Sequence, residues 1–170
     1  MVNNPTSSTA VNQPILHSCP GCLACQTLSG EILVPGGIIA ENDWWLADHC
    51  LGAYGIGSVV VKTKAHRETM ADLSANEAAA LGFFLQQISA AMEKALGAER
   101  IYINLWMDEA PFHVHFVLQP RYPGKEELGL KGIELQVFRA LDKPPAAAQA
   151  AAAAIKIREQ FNQLNALTVK

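Results

Sequence analysis

Phe112-His113-Val114-His115-Phe116-Val117-Leu118-Gln119-Pro120-Arg121 is the stretch whose reading decides the fold. The alternation reads as a β-strand, because successive strand side chains point to opposite faces. Val114, Phe116 and Leu118 then share one face and can bury against helices. His113, His115, Val117 and Gln119 share the other. Two imidazoles at i and i+2 on one face are close enough to act on one ligand or on neighbouring ones. Imidazole suits metal binding, proton transfer and nucleophilic attack near neutral pH. The same alternation also fits a strand whose two histidines simply face solvent. Pro120 is expected to end the ladder by removing a donor, and Arg121 follows as a fixed cation.

Around this strand the chain has 170 residues, half of them hydrophobic and 17% charged. That is one domain on length and enough to bury a sizeable core. The formal net charge of −3 gives no general attraction to nucleic acid or to anionic lipid, so any phosphate binding has to be local. Residues 1–18 read as a flexible N-terminal segment, without the basic and apolar runs of a signal peptide. No stretch has the length of a membrane span. The expected setting is cytoplasmic.

Upstream lie Cys19, Cys22 and Cys25 at intervals of three, with Cys50 further on. They form two overlapping C-x-x-C motifs. Without an export signal, this spacing favours metal or redox chemistry over a disulfide framework. The turn-like flanks, Pro20-Gly21 and Ser29-Gly30, favour a knuckle holding zinc over a redox pair that opens a helix. Small buried thiols are the structural alternative. The spacing alone allows Cys19 with Cys22 as well as Cys22 with Cys25.

Between knuckle and histidine strand, strands are expected at 37–41, 44–48 and 58–63, separated by Asn42-Asp43 and by the turn glycines Gly55 and Gly57. Trp44 and Trp45 must face opposite ways, one into the core and one to a surface. Ser74-Ala-Asn-Glu77 is a capping box that opens a helix. Leu81, Phe84, Leu85, Ile88, Met92 and Leu96 form its apolar stripe, and Gly97 stops it. A fourth strand at 101–106 turns through Asp108 to Pro111 and pairs with the histidine strand. Beyond Arg121, a helix is expected within 126–141, interrupted by Gly129 and Gly132. After Pro144-Pro145, an Ala-rich helix follows, with Ile157, Phe161 and Leu164 as its stripe.

The ordered set resembles the histidine-triad superfamily. Its parts are Cys22-Leu-Ala-Cys25 followed by Gly30-Glu31, a basic strand end running to His66, the capped helix, and His113-Val-His115 closed by Pro120-Arg121. The resemblance spans about Cys22 to Arg121. The superfamily pattern has three alternating histidines, and Val117 stands in the third place. A Gly-Gln-Ser/Thr turn common in the superfamily is also missing, with Glu109 where the Gln would be.

The resemblance implies an α+β fold, with an antiparallel sheet of about five strands and a long helix across one face. Residues 19–125 would form this domain. The helical extension at 126–170 would pack on it or on a dimer partner. It implies a structural zinc held by Cys22, Cys25, His66 and His113, a Cys₂His₂ set that satisfies the four N or S ligands of a closed zinc site. Zinc-containing relatives include the hexose-phosphate uridylyltransferases, which carry Gln in the third place. It implies that His115 is a nucleophile attacking the α-phosphorus of a nucleotide, with Asn104, Gln119 and Arg121 as substrate-binding candidates. The expected activity is nucleotide hydrolysis or nucleotidyl transfer through a covalent nucleotidyl-histidine, in a homodimer that binds neither nucleic acid nor membrane. Val117 cannot donate a hydrogen bond, and loss of one such donor can cost on the order of 10²-fold in rate. The alternative is a non-catalytic nucleotide-binding or interaction protein with a degenerate site.

Overall fold

The computed structural model describes residues 19–124 and 129–168. The expected flexible segment at 1–18 lies outside them. Five strands form one sheet: β1 (Ala40–Glu41), β2 (Trp45–His49), β3 (Val59–Thr63), β4 (Arg100–Asn104) and β5 (His115–Arg121). The order is β1-β2-β3-β5-β4, and every neighbouring pair is antiparallel. Four α-helices accompany it: α1 (Leu23–Leu28), α2 (Ala75–Leu96), α3 (Gly132–Ala140) and α4 (Ala147–Thr168). The α+β architecture is the expected one. No described helix is long and apolar enough to cross a membrane.

One face of the sheet carries the core. Trp45, Ala47, Val59, Val61, Val114 and Leu118 pack there against Phe84, Ile88, Ala91 and Met92 of α2. The Trp45 indole N–H donates to the Glu77 carbonyl at 2.8 Å, satisfying its polar edge where strand meets helix. Trp44 is half-buried at a bend just before β2. The capping box is present: Ser74 Oγ accepts from the Glu77 N–H, and the Glu77 carboxylate accepts from the Ser74 N–H. Gly97 ends α2 in the left-handed region at φ +64°.

Helix α4 lies beside α2 on this same face. Its Ala150, Ala153, Ala154 and Ile157 are buried, and Phe161 meets Phe84 edge to face at 6.4 Å. The loop before β1 approaches it closely. A Cβ at Gly36, where φ is +76°, would stand 2.7 Å from Ala154 Cβ and 2.8 Å from the Ala151 carbonyl oxygen. The Ala-rich sequence of α4 thus serves close approach.

Element boundaries shift by one or two residues along β2, β3 and β4, and differ more in three places. β1 covers two residues, because 37–39 pair irregularly apart from the Ile39 N–H to the Ala47 carbonyl. Pro120 does not end β5. It pairs with Ile101, and Arg121 continues the ladder opposite Arg100. α3 starts at Gly132, after the Gly129 interruption, and residues 125–128 lie outside the described part.

Candidate functional site

The face of the sheet opposite α2 is where the chemistry gathers. Contrary to the turn-like reading of its flanks, the cysteine pair opens a helix: Cys22 caps the six-residue α1, and Cys25 is buried within it. His66 follows β3, and His113 precedes β5. The four potential ligand atoms of these residues lie within 4.8 Å of one another. Cys22 Sγ is 3.4 Å from His113 Nδ1, and Cys25 Sγ is 3.5 Å from His66 Nδ1 and 3.6 Å from His113 Nδ1. The two Nδ1 atoms are 3.3 Å apart.

These spacings test the donor set directly. Zinc–nitrogen bonds of about 2.0–2.1 Å and zinc–sulfur bonds of about 2.3 Å at tetrahedral angles require N···N edges near 3.3 Å and N···S edges near 3.6 Å. These four separations match those edges, and all six lie within 4.8 Å. The protonation pattern fits as well. The Thr63 carbonyl lies 2.9 Å from His113 Nε2 and can only accept, so Nε2 carries the proton and Nδ1 presents its lone pair to the cluster. Burial pushes the His113 pKa down to about 4 against the opposing pull of that carbonyl, which keeps the imidazole neutral, as a ligand must be. Burial also pushes the Cys22 thiol up. A bound cation would reverse that, since a coordinating thiol is deprotonated. Cys19 is half-exposed and outside the cluster, so the geometry selects Cys22 with Cys25.

His115 sits two residues beyond His113 at the start of β5. Its Nδ1 lies 2.7 Å from the His113 carbonyl oxygen, so Nδ1 donates and Nε2 is left as a free lone pair. His115 lines a cavity of about 470 Å³ together with Asn104, Val117, Gln119, Glu109 and Gln136. This is within the range of small-molecule sites. Three polar atoms here are buried with no hydrogen-bond partner among the described residues: Asn104 Nδ2, Gln119 Oε1 and Gln136 Oε1. Unpaired buried polar groups are costly, and these three are on residues that line one cavity. Val117 is 8% exposed and lies between Val60 on β3 and Asn104 on β4.

The structure therefore brings Asn104 and Gln119 to His115 and sends Arg121 elsewhere. Arg121 donates to Glu99 Oε2 at 2.8 Å and to the Tyr102 hydroxyl at 3.3 Å, and it lines a separate hollow of about 240 Å³ with Glu99 and Tyr122. Sequence reading missed Gln136, on α3, and the buried pair Lys62 and Asp48. The last two had a partial signal, one charged residue in each of two mostly apolar strands, though not of their pairing. His49 is accounted for structurally. Its Nδ1–H donates to the Cys50 carbonyl at 2.8 Å, and its Nε2 accepts from the Gly57 N–H at 3.0 Å. Burial lowers its pKa.

No family model matches the chain, and no curated protein does. Solved structures do. A Zn-bound histidine triad family protein from Mycobacterium smegmatis is 20% identical, with TM-score 0.66 over 86% of this chain and 97% of that one. A hypothetical histidine triad nucleotide-binding protein from Sulfolobus tokodaii is 18% identical, with TM-score 0.68 over 85% and 94%. A uridylyltransferase is 20% identical, with TM-score 0.61, and this chain covers 45% of its length. The chain thus has the histidine-triad fold, with a Cys₂His₂ set suited to zinc beside His115 and with Val117 two residues further along the strand.

Proposed function

We propose that this protein is a zinc-containing nucleotide hydrolase or nucleotidyl transferase that works at the α-phosphate through His115. The observation that carries this reading is the His115 ring itself. Its Nδ1 proton is held by the His113 carbonyl, and its Nε2 lone pair belongs to a ring lining a ligand-sized cavity. Nε2 would attack the α-phosphorus, forming an N–P bond as the bond to the leaving group breaks. The leaving group departs with the electron pair and takes a proton from solvent. Water or a second acceptor then attacks phosphorus, and the N–P bond breaks to restore the neutral ring. The Nδ1–H···O=C bond supports the positive charge the ring carries in between.

Cys22, Cys25, His66 and His113 would hold the zinc, and the closed site would clamp α1 to the strand that carries His115. Asn104 and Gln119 supply the polar contacts that orient the nucleotide. The known proteins of this fold support a nucleotide as the small-molecule ligand: one is described as nucleotide-binding and another as a uridylyltransferase. A homodimer is the expected assembly.

Two features favour a second reading, a nucleotide-binding protein without turnover. Val117 offers no donor, and Glu109, a carboxylate, lines the cavity where phosphate would enter. Intact-mass measurement separates the two. After incubation with dinucleoside polyphosphates and nucleoside phosphoramidates, wild type should gain the mass of one nucleotidyl group, and His115→Ala should not. Absence of both adduct and turnover in wild type would leave the non-catalytic reading.

A further inference from the structure

Lys62 faces His115 directly across the β3–β5 ladder. Opposed residues on antiparallel strands share a face, with Cβ atoms about 4.5–5.5 Å apart. The Lys62 side chain is 2% exposed, and a buried ammonium needs partners. It has two. Nζ donates to Asp48 Oδ2 and to Thr27 Oγ1, each at 2.5 Å. An ammonium has three N–H donors, and among the described residues the third has no partner. Lys62, Asp48, Thr27 and His115 all line the same cavity.

Packing does not call for this pair. Neighbouring positions on the same face of β2 and β3 are Leu46 and Val60, and well-packed apolar residues usually do as well as a buried ion pair or better. The pair is also incomplete on its anionic side. Asp48 Oδ1 is buried with no hydrogen-bond partner among the described residues, and burial pushes the Asp48 carboxyl up while Lys62 opposes the shift. The arrangement is therefore a cation aimed by two neighbours, with donor capacity left over, lining the same cavity as the position that lacks a donor. Val117 is opposite Val60, two residues along β3 from Lys62. Val117 is thus diagonal to Lys62 across the β3–β5 ladder, whereas Asp48, which holds the ammonium, lies across β3 on β2.

We propose that the Lys62 ammonium, aimed by Asp48 and Thr27, contacts a non-bridging phosphate oxygen of a nucleotide seated at His115 and supplies the charge stabilisation that Val117 cannot. The inference rests on the nucleotide reading above and adds the group that recognises the phosphate. An ammonium acts here as a point charge. It stabilises the transferred group and leaves protonation of the leaving group to solvent. Thr27 stands on α1, whose cap is the metal-ligand candidate Cys22, so closure of the metal knuckle also sets the ammonium.

Paired titrations test this. The zinc-loaded full chain is titrated calorimetrically with AMP and adenosine, and with GMP and guanosine, as wild type and as the double variant Asp48→Asn/Lys62→Met. The double change removes both charges and leaves neither buried alone. Wild type should bind the monophosphate more tightly than its nucleoside. The double variant should lose about tenfold or more in monophosphate affinity, the size of a charge-assisted hydrogen bond, with nucleoside affinity unchanged. An unchanged preference for the monophosphate, or an equal loss for both ligands, would overturn the role of Lys62 while leaving the nucleotide reading intact. Wild type that binds none of the four ligands would overturn both. If the double variant loses its zinc or its circular dichroism, Thr27→Val reads the same ratio with the ion pair in place. It should lower the monophosphate preference several-fold, and an unchanged ratio there would equally overturn the proposal.

Discussion

Val117 occupies a cavity wall between Val60 and Asn104, so a larger side chain placed there opens onto the space above His115. Val117→His adds a donor on the His115 face at a packing cost of about 1–3 kcal/mol. It should raise kcat for a dinucleoside polyphosphate, whose leaving group needs a proton, on the order of tenfold. The gain for a nucleoside phosphoramidate should be smaller. Steady-state turnover of the two substrates measures the ratio, and an equal gain on both would count against proton donation from position 117. A second expectation concerns His113. Burial lowers its pKa to about 4 from an unfolded value of about 6.5. Between these limits the unfolded chain binds more protons than the folded one, so stability rises with pH across that window. Chelated, metal-free protein should accordingly lose on the order of 3 kcal/mol between pH 6.5 and pH 4. Urea melts across this range check it, with His113→Gln expected to flatten the dependence. At this scale the strand alternation alone placed His113, His115, Val117 and Gln119 on one face. Lys62 looked like the basic end of a strand, because its partners Asp48, Thr27 and His115 are brought to it by long-range register, which no local pattern encodes.

At the scale of elements, the knuckle and the paired helices rest on different physics. α1 has six residues and no side-chain cap hydrogen bond, too little to be stable as an isolated helix. Its hold on the domain is Cys22 and Cys25 against His66 and His113, together with the Thr27 hydroxyl that accepts from Lys62. Cys22→Ser should therefore lose bound zinc and thermal stability together, since binding energy at a structural zinc is part of the folding energy. Metal content by elemental analysis beside a melting curve measures both, and retained stoichiometric zinc in a Cys25→Ser/His113→Ala variant would refute this ligand set. α4 instead depends on close packing. Ile157 is fully buried, and Ile157→Ala should cost about 2–5 kcal/mol through lost burial and the cavity left behind, read as a denaturant midpoint shift at constant slope. The capping box and apolar stripe made α2 legible in advance. The position of α4 was not, because alanines bury little area and their value appears only when Gly36 is seen against Ala151 and Ala154.

The whole molecule leaves one question of assembly open to a direct test. β4 lies at the end of the sheet order, with β5 on one side and no strand on the other among the described residues. A bare edge invites pairing, and its chemistry here does little to prevent it: Ile103 is 44% exposed, as is Trp106 just beyond the strand. The sheet was legible as a whole because a few ordered positions, the cysteine pair, His66, the capped helix and the histidine strand, fix which elements meet. An edge contact has no comparable signature, since it depends on backbone groups that every residue carries. The homodimer expected by resemblance would use this edge, joining β4 to its copy across a two-fold axis, which makes the interface self-complementary. Sedimentation velocity at micromolar concentration should then give a dimer. Ile103→Lys places two like charges near that axis and should shift the protein toward monomer, with zinc content and circular dichroism unchanged. A dimer indifferent to Ile103→Lys would move the interface away from β4, and a wild-type monomer would remove the homodimer altogether.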